Sequence, residues 1–324
     1  MRTALGWFGG VALLALAVGA NAQSLSYTSG QSVAPAYEGW EEEADGTKYF
    51  VFGYLNRNWE EEIDVPVGPG NGFSPGNADL GQPTHLLPRR NRFIFRVKVP
   101  ATFTEKDEIV WTLTTNGKTE KAWASIRVDY KLDDVVKASE TGALGAGSSS
   151  PEIRSNKAPV VKIVGDRTLR VRVGEPLTLT STVTDDGIPK RRTERSLPSA
   201  AAAGATPTSS GEGGEAAAAP RRNPLMLPPA RITVGKNVGL HHAFYVFRGS
   251  GEVTFSPAQI KVWEDTRAGA NSPWAPIWAP PAMPADGRFI AQVTFSEPGT
   301  YVIRSQADDG GLLGWDEFII TVTR

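Results

Sequence analysis

EPGTYVIRSQADDGGLLGWDEFIITVTR, residues 297–324, is the stretch that decides the fold class. It holds two strand-forming runs joined by a Gly-rich turn. Tyr301, Ile303, Ser305 and Ala307 share one face of the first run, and Phe318, Ile320 and Val322 share one face of the second. A period of two marks a half-buried strand, because successive side chains point to opposite faces. Gly310, Gly311 and Gly314 supply the turn between the runs.

Two upstream pieces have the same texture: LTLTSTVTDDGIP at 177–189 and GEVTFSP at 251–257. Taken with Pro298-Gly299-Thr300-Tyr301, Ala307-Asp308-Asp309-Gly310 and the terminal IITVT run, they resemble an immunoglobulin-like module of the PKD or cadherin-like type found in bacterial exported proteins. The resemblance covers most of residues 156–324. It implies a β-sandwich with Tyr301 as a tyrosine corner at the start of the penultimate strand. It is nearly silent about function, since such modules serve as spacers, adhesins and binding domains alike. The cysteines and core tryptophan of antibody domains are absent.

The chain opens with MRTALGWFGGVALLALAVGANA. Arg2 gives a positive n-region, residues 11–18 an apolar core, and Ala20-Asn21-Ala22 a small-residue cleavage site, so residues 1–22 read as a signal peptide. A membrane anchor needs about 20 apolar residues, and this core is shorter. No cysteine follows the cleavage site, which excludes a lipoprotein anchor, and the chain's cores must be held by burial without disulfides. No later segment is apolar enough to span a bilayer. A formal net charge of −1 argues against nucleic acid or an anionic membrane surface as partner, since either selects a basic excess.

Residues 23–134 carry only β signals. Residues 37–43 and 48–54 flank Asp45-Gly46, and residues 108–115 and 118–130 flank Asn116-Gly117, two strong hairpin-turn dipeptides. Residues 56–90, dense in Gly, Pro and Asn, read as a long structured loop. In residues 91–100, Phe93, Phe95, Val97 and Val99 are expected inward, with Arg96 and Lys98 outward. Residues 135–157 are rich in Gly, Ser and Ala and read as a flexible linker. The whole is an all-β chain of two β-sandwich domains, 23–134 and 158–324. The second is Ig-like and interrupted by a disordered insert at 190–230, which is too poor in apolar residues to fold alone.

Loops on a rigid sandwich are where binding residues usually sit. In an Ig-like module the loops after the second, fourth and sixth strands gather at one end. That pole would carry Asp185, Asp186, Asp308 and Asp309, with Trp274 and Trp278 on a Pro-rich loop. The four carboxylates, beside loop carbonyls, could supply the six to eight oxygens of a calcium site. Against this, neither pair has alternating Asp-x-Asp-x-Asp spacing, and Asp-Gly pairs also close turns locally. Trp274 and Trp278 could stack on sugar rings or fold back as a lid. Trp111 and Trp123 lie within strands as packing residues. His241 and His242 are adjacent in a strand and cannot chelate one ion together, and His85 stands alone in a loop.

In the first domain, Arg57 and Trp59, with Asn56 and Asn58, combine guanidinium, indole and amide as sugar sites do; pairing of Arg57 with a nearby Glu explains them without a ligand. The acidic runs Glu41-Glu42-Glu43 and Glu60-Glu61-Glu62 could offer a carboxylate pair for glycoside hydrolysis, but no companion motif supports it, and carboxylates in runs are usually solvated surface. No nucleophile elbow, zinc helix or P-loop occurs. The sequence thus leads to an exported protein, periplasmic or extracellular, without enzymatic activity or cofactor. It would bind a polysaccharide or protein of the cell envelope through the loop pole. Two other readings stay open: a glycan-active enzyme with its site in the first domain, and a ligand-free spacer.

Overall fold

Alternating aromatic and β-branched residues separated by Gly-rich turns give strands throughout, and sixteen are named below. The computed structural model describes residues 29–140, 150–190, 239–259, 261 and 283–324. The expected signal peptide, nearly all of the expected insert, and Trp274 and Trp278 lie outside the described residues.

In the N-terminal domain, β1 (Val33–Glu42), β2 (Lys48–Asn56) and β6 (Arg89–Lys98) form one sheet, and β4 (Asn71–Ser74), β7 (Ile109–Thr115) and β8 (Lys118–Ala124) form another. The short strands β3 (Ile63–Asp64) and β5 (His85–Leu86) pair within the stretch expected as loop. Both expected hairpins are present, pairing Glu42 with Lys48 and Thr115 with Lys118. Asn116 and Gly117 both take positive φ (46° and 74°), as a two-residue turn matched to the strand twist requires. The two sheets pack through a shared apolar cluster in which Phe52 stacks on Phe95 and Phe73 on Trp111. Each such fully buried aromatic contributes about 1.5–3 kcal/mol relative to exposure. Trp111 also donates its indole N–H to Asn71 at 2.9 Å, while Trp123 is 56% exposed.

One expected inward residue departs. Phe93 packs with Val51 and Leu132 on the opposite face, whereas Phe95, Val97 and Val99 join the main core. The pairing register shifts between Phe52 and Tyr54, and Phe93 itself has φ of 52°. A bulge of this kind reverses the inward–outward phase of a strand.

The C-terminal domain is a two-layer sandwich. Strands β9 (Val160–Ile163), β11 (Leu177–Thr184), β13 (Val253–Ser256) and β14 (Arg288–Phe295) form one sheet in the order β13-β14-β11-β9. Strands β10 (Thr168–Arg172), β12 (His241–Arg248), β15 (Gly299–Asp308) and β16 (Leu313–Thr323) form the other, β10-β16-β15-β12, with β10 parallel to β16. Lettered A to G along the chain, the layers are A-B-E-D and A′-G-F-C, the Ig-like arrangement. Leu179, Val293 and Phe295 of the first layer meet Phe244, Ile303, Phe318 and Ile320 of the second. The Tyr301 hydroxyl donates within reach of the Ser250 and Glu297 carbonyls (2.7 and 2.9 Å), completing the expected corner. Gly249 (φ +143°) lies beneath that ring, where a Cβ would collide with it. Gly314, expected in the turn, instead lies in β16, and a Cβ there would strike the Pro159 carbonyl.

The segment expected as a flexible linker is helical at both described ends, α1 (Asp134–Glu140) and α2 (Pro151–Ser155). Ser150 caps α2 through the Ile153 N–H, and Ala138 and Ile153 bury together against Leu312 of the second domain. Few apolar residues suffice here because each helix needs to cover only one small patch.

The domains also bury each other directly. Tyr245 and Phe247, on the outer face of the β12 edge, belong to the N-terminal domain's core cluster, and Val302 packs against it. The Thr84 N–H donates to the Phe247 carbonyl at 3.1 Å. Arg248 binds both oxygens of Asp79 (3.1 and 2.6 Å), the Gly251 N–H donates to Asp64 (3.2 Å), and Lys261 donates to Asn91 (2.7 Å). No helix among the described residues is long and apolar enough to cross a membrane.

Candidate binding cleft between the two domains

Where the domains separate slightly, they leave a cleft of about 420 Å³. Its N-terminal wall is Tyr49 of β2 with Phe95 and Arg96 of β6; its C-terminal wall is Phe247 and Arg248 of β12, Val302 and Arg304 of β15, and Trp315 and Glu317 of β16. Ligand sites favour such domain boundaries, lined by aromatic rings and a few polar groups. A smaller cavity of about 60 Å³ shares Arg96 and Trp315 and continues toward Glu41 and Lys137.

Strand alternation explains the C-terminal wall. Tyr301, Ile303 and Ser305 face the sandwich core, so Val302, Arg304 and Gln306 face the first domain, and Trp315 and Glu317 lie beside them on β16. Arg304 is only 2% exposed. Its guanidinium lies over Phe247 (3.6 Å) and Trp315 (4.8 Å), its Nε and Nη2 donate to Glu317 Oε1, and its Nη1 donates to the Ile94 carbonyl. A buried charge is tolerated only with such full pairing. Arg248 is likewise committed, to Asp79 and to the Gln82 carbonyl.

Arg96 differs. Its guanidinium lies over Tyr49 at 4.4 Å, and its bonds to Glu41 (2.8 Å) and Glu43 (3.0 Å) both leave from Nη1. Burial works to lower its pKa, but the hydrogen bonds and charges of Glu41 and Glu43 outweigh that and raise it. For Glu41, burial works upward, and Lys137 and Arg96 together hold the carboxyl below its ordinary value. The cleft therefore presents fixed, charged and aromatic groups.

Of the residues singled out in the sequence, Glu41 and Glu43 adjoin the cleft through Arg96, and the others described sit elsewhere. Arg57 makes a two-pronged pair with Glu120 (2.8 and 3.2 Å), which holds the Glu120 pKa down at about 2 against the opposing effect of burial. Pairing with a Glu was expected, but the partner comes from β8 and not from residues 60–62. Trp59 is buried, with the Arg89 guanidinium 4.1 Å over its ring, so it offers no open face to a sugar. Asn58 is fully buried and binds the Gln31 backbone. Glu61 accepts the Gly30 N–H, and Glu62 binds His85. His85 is not alone: its two ring nitrogens meet Asp64 (2.7 Å) and Glu62 (3.1 Å). Burial pushes its pKa down, but these hydrogen bonds and charges prevail and raise it to about 9.

Both Asp pairs do reach one end of the sandwich, bridged by neighbouring residues. Asn156 Nδ2 donates to Asp309 (3.1 Å), and the Lys157 N–H to Asp186 (3.0 Å). Asp308 accepts the Gly310 N–H, Asp309 those of Gly311 and Leu312, and Asp185 that of Gly187. Burial, then the Asp308 charge, raises Asp309 to about 7, and burial raises Asp185. Asp185 Oδ1 and Asn156 Oδ1 are buried without a hydrogen-bond partner among the described residues. No group of three or more His, Asp or Glu able to hold a metal ion forms among the described residues. His242 lies inside the sandwich against Ser305 (2.8 Å) and Phe289, and burial, then His241, lowers it to about 3.

Sequence reasoning missed Tyr49, Arg96, Arg304 and Trp315. The available signal was the combination of Arg, Gln, Trp and Glu alternating with apolar residues in β15 and β16, a polar face too rich in aromatic and guanidinium groups for plain solvent.

No family model matches the chain, and no curated protein is similar in sequence. Among solved structures, the S-layer protein rSbsC is similar over 90% of this chain at 9% identity and a TM-score of 0.22, and the chain spans 28% of that protein's length. A chimeric titin Z1Z2 (10% identity, TM-score 0.22) matches over 91% of this chain and 99% of its own. The D00-D0 domain of intimin (8% identity, TM-score 0.23) matches over 90% and 100%. The Ig-like assignment rests on the strand order given above.

Proposed function

We propose that this is an exported, non-enzymatic binding protein of the cell envelope that holds a polysaccharide in the cleft between its two domains. The observation that carries this reading is the 420 Å³ cleft walled by the half-buried rings of Tyr49 and Trp315 beside fixed arginines. Aromatic faces stack on the apolar faces of sugar rings and lose little entropy in doing so, while guanidinium and carboxylate groups orient the hydroxyls. Export is supported by the composition of residues 1–22. The rival reading, glycan cleavage by the carboxylates at 60–62, gains nothing from a Glu62 bound to His85 and a Glu61 bound to a backbone N–H.

The test is calorimetric titration of the full mature chain with a panel of envelope polysaccharides, repeated with Trp315→Ala and with Trp274→Ala/Trp278→Ala. The expected result is saturable binding that Trp315→Ala weakens at least tenfold and the loop double variant retains. Binding lost only in the double variant would return the site to the loop pole. Absence of binding to every glycan would leave a spacer or protein-contact role.

A further inference from the structure

The hydrogen-bonding inventory of the cleft is uneven. Arg248 and Arg304 spend every nitrogen on Asp79, Gln82, Glu317 and Ile94. Arg96 spends only Nη1, and its Nε–Nη2 edge has no hydrogen-bond partner among the described residues. That edge is the geometry in which a guanidinium takes an oxyanion through two parallel N–H···O bonds. It is also held in advance, by the Tyr49 ring beneath it and by the two carboxylates at its other end. The Trp315 indole N–H, a donor, and the Tyr49 hydroxyl, which donates and accepts, likewise make no hydrogen bond among the described residues. Glu317 Oε2 is an open acceptor, because Arg304 uses only Oε1.

We infer that the cleft recognises an acidic glycan, one whose sugar carries an oxyanion, and that Arg96 is the residue that reads it. This rests on the cleft being a glycan site and adds its chemical class. A ring stacked beside Tyr49 and Trp315 places its ionised substituent on the free Arg96 edge and a hydroxyl on Glu317 Oε2. An acidic peptide would satisfy Arg96 but has no sugar face for the two rings. A neutral glycan would stack but leave the guanidinium edge to water. The preference for acid over neutral ligand therefore comes from one side chain.

The experiment titrates the full mature chain with oligogalacturonate, with the same oligosaccharide fully methyl-esterified, with a sulfated oligosaccharide and with a poly-glutamate peptide. Oligogalacturonate or the sulfated oligosaccharide is expected to bind at least tenfold tighter than the ester, with the preference shrinking as salt rises. In Arg96→Gln that preference should disappear, and in Arg96→Lys it should be reduced, because an ammonium keeps the charge but not the fork. Which acidic probe binds better names the oxyanion. Equal binding of acid and ester by the wild-type chain would overturn the inference while leaving the glycan site standing, and this comparison does not depend on either variant folding. A tenfold preference that survives in a folded Arg96→Gln would overturn the role of Arg96. Binding of poly-glutamate as tight as the acidic glycans would overturn the glycan class, and no binding by any saccharide would overturn both readings together.

Discussion

The two faces of the β10-β16-β15-β12 sheet are both covered, yet by different chemistry. The inner face offers Phe244, Ile303, Phe318, Ile320 and Val322 to the opposing layer, and the fit is almost wholly apolar. The outer face offers Tyr245, Phe247, Arg304, Gln306, Trp315 and Glu317 to the N-terminal domain, where apolar packing and directed hydrogen bonds alternate and a cleft remains. An apolar face packs wherever it meets another, since burial is non-directional. A face of rings and guanidinium groups packs only against a partner that satisfies each polar atom, so it specifies one orientation. Here the difference separates a layer that makes the fold from one that leaves the cleft.

The largest effect that would sharpen this contrast is on the inner face. Phe318→Ala should cost about 3–5 kcal/mol, the range for a buried aromatic truncation, read by denaturant unfolding; a loss below about 1 kcal/mol would mean the layers are not packed as described. On the outer face, Arg304→Met keeps volume but strips donors from Glu317 and the Ile94 carbonyl. The expected loss is smaller, about 1–3 kcal/mol, and should come with weaker ligand binding that Phe318→Ala does not share at temperatures where it stays folded.

Two histidines, His85 and His242, extend the comparison to pH. His85, beside the docking seam, has a folded pKa of about 9 against an ordinary 6.5. Its contribution is therefore fully present below about pH 6.5 and lost as pH rises toward 9. His242, inside the sandwich, is held at about 3. Its contribution is present above about pH 6.5 and lost as pH falls toward 3, because the unfolded chain then binds the extra proton. Melting temperature against pH should fall on both sides, and His85→Gln should flatten the alkaline limb alone. A flattening of the acid limb instead would assign the charges the other way round. The smallest effect belongs to Arg57→Ala: with the pair 35% and 18% exposed, the cost should stay below about 1 kcal/mol and ligand binding should not change.

The inner face was legible from alternation alone, as were both hairpin dipeptides and the Tyr301 corner, because each depends on local pattern or on one backbone requirement. Phe93 was misplaced because a bulge reverses phase without changing composition. Gly314 looked like a turn residue because close approach to Pro159 is a tertiary fact. The docked face stayed hidden for a related reason: Arg304 and Glu317 carry the same letters whether they meet water or each other. Arg96 was placed outward, and that placement stands, but the outward side of β6 is where the second domain's wall begins. Among the sites expected from sequence, the Asp pairs do share one pole, Arg57 and Trp59 are occupied by internal partners, and Trp274 and Trp278 lie outside the described residues.

The claim on which the cleft depends is that the two domains bury each other's surfaces and are not strung on a tether. Scanning calorimetry of the full mature chain tests it most directly, by comparing calorimetric and van't Hoff enthalpies. A shared core predicts one cooperative transition with the two enthalpies equal, and a lower melting temperature for either domain expressed alone. Two separable transitions, each matching an isolated domain, would contradict the docking and with it the cleft.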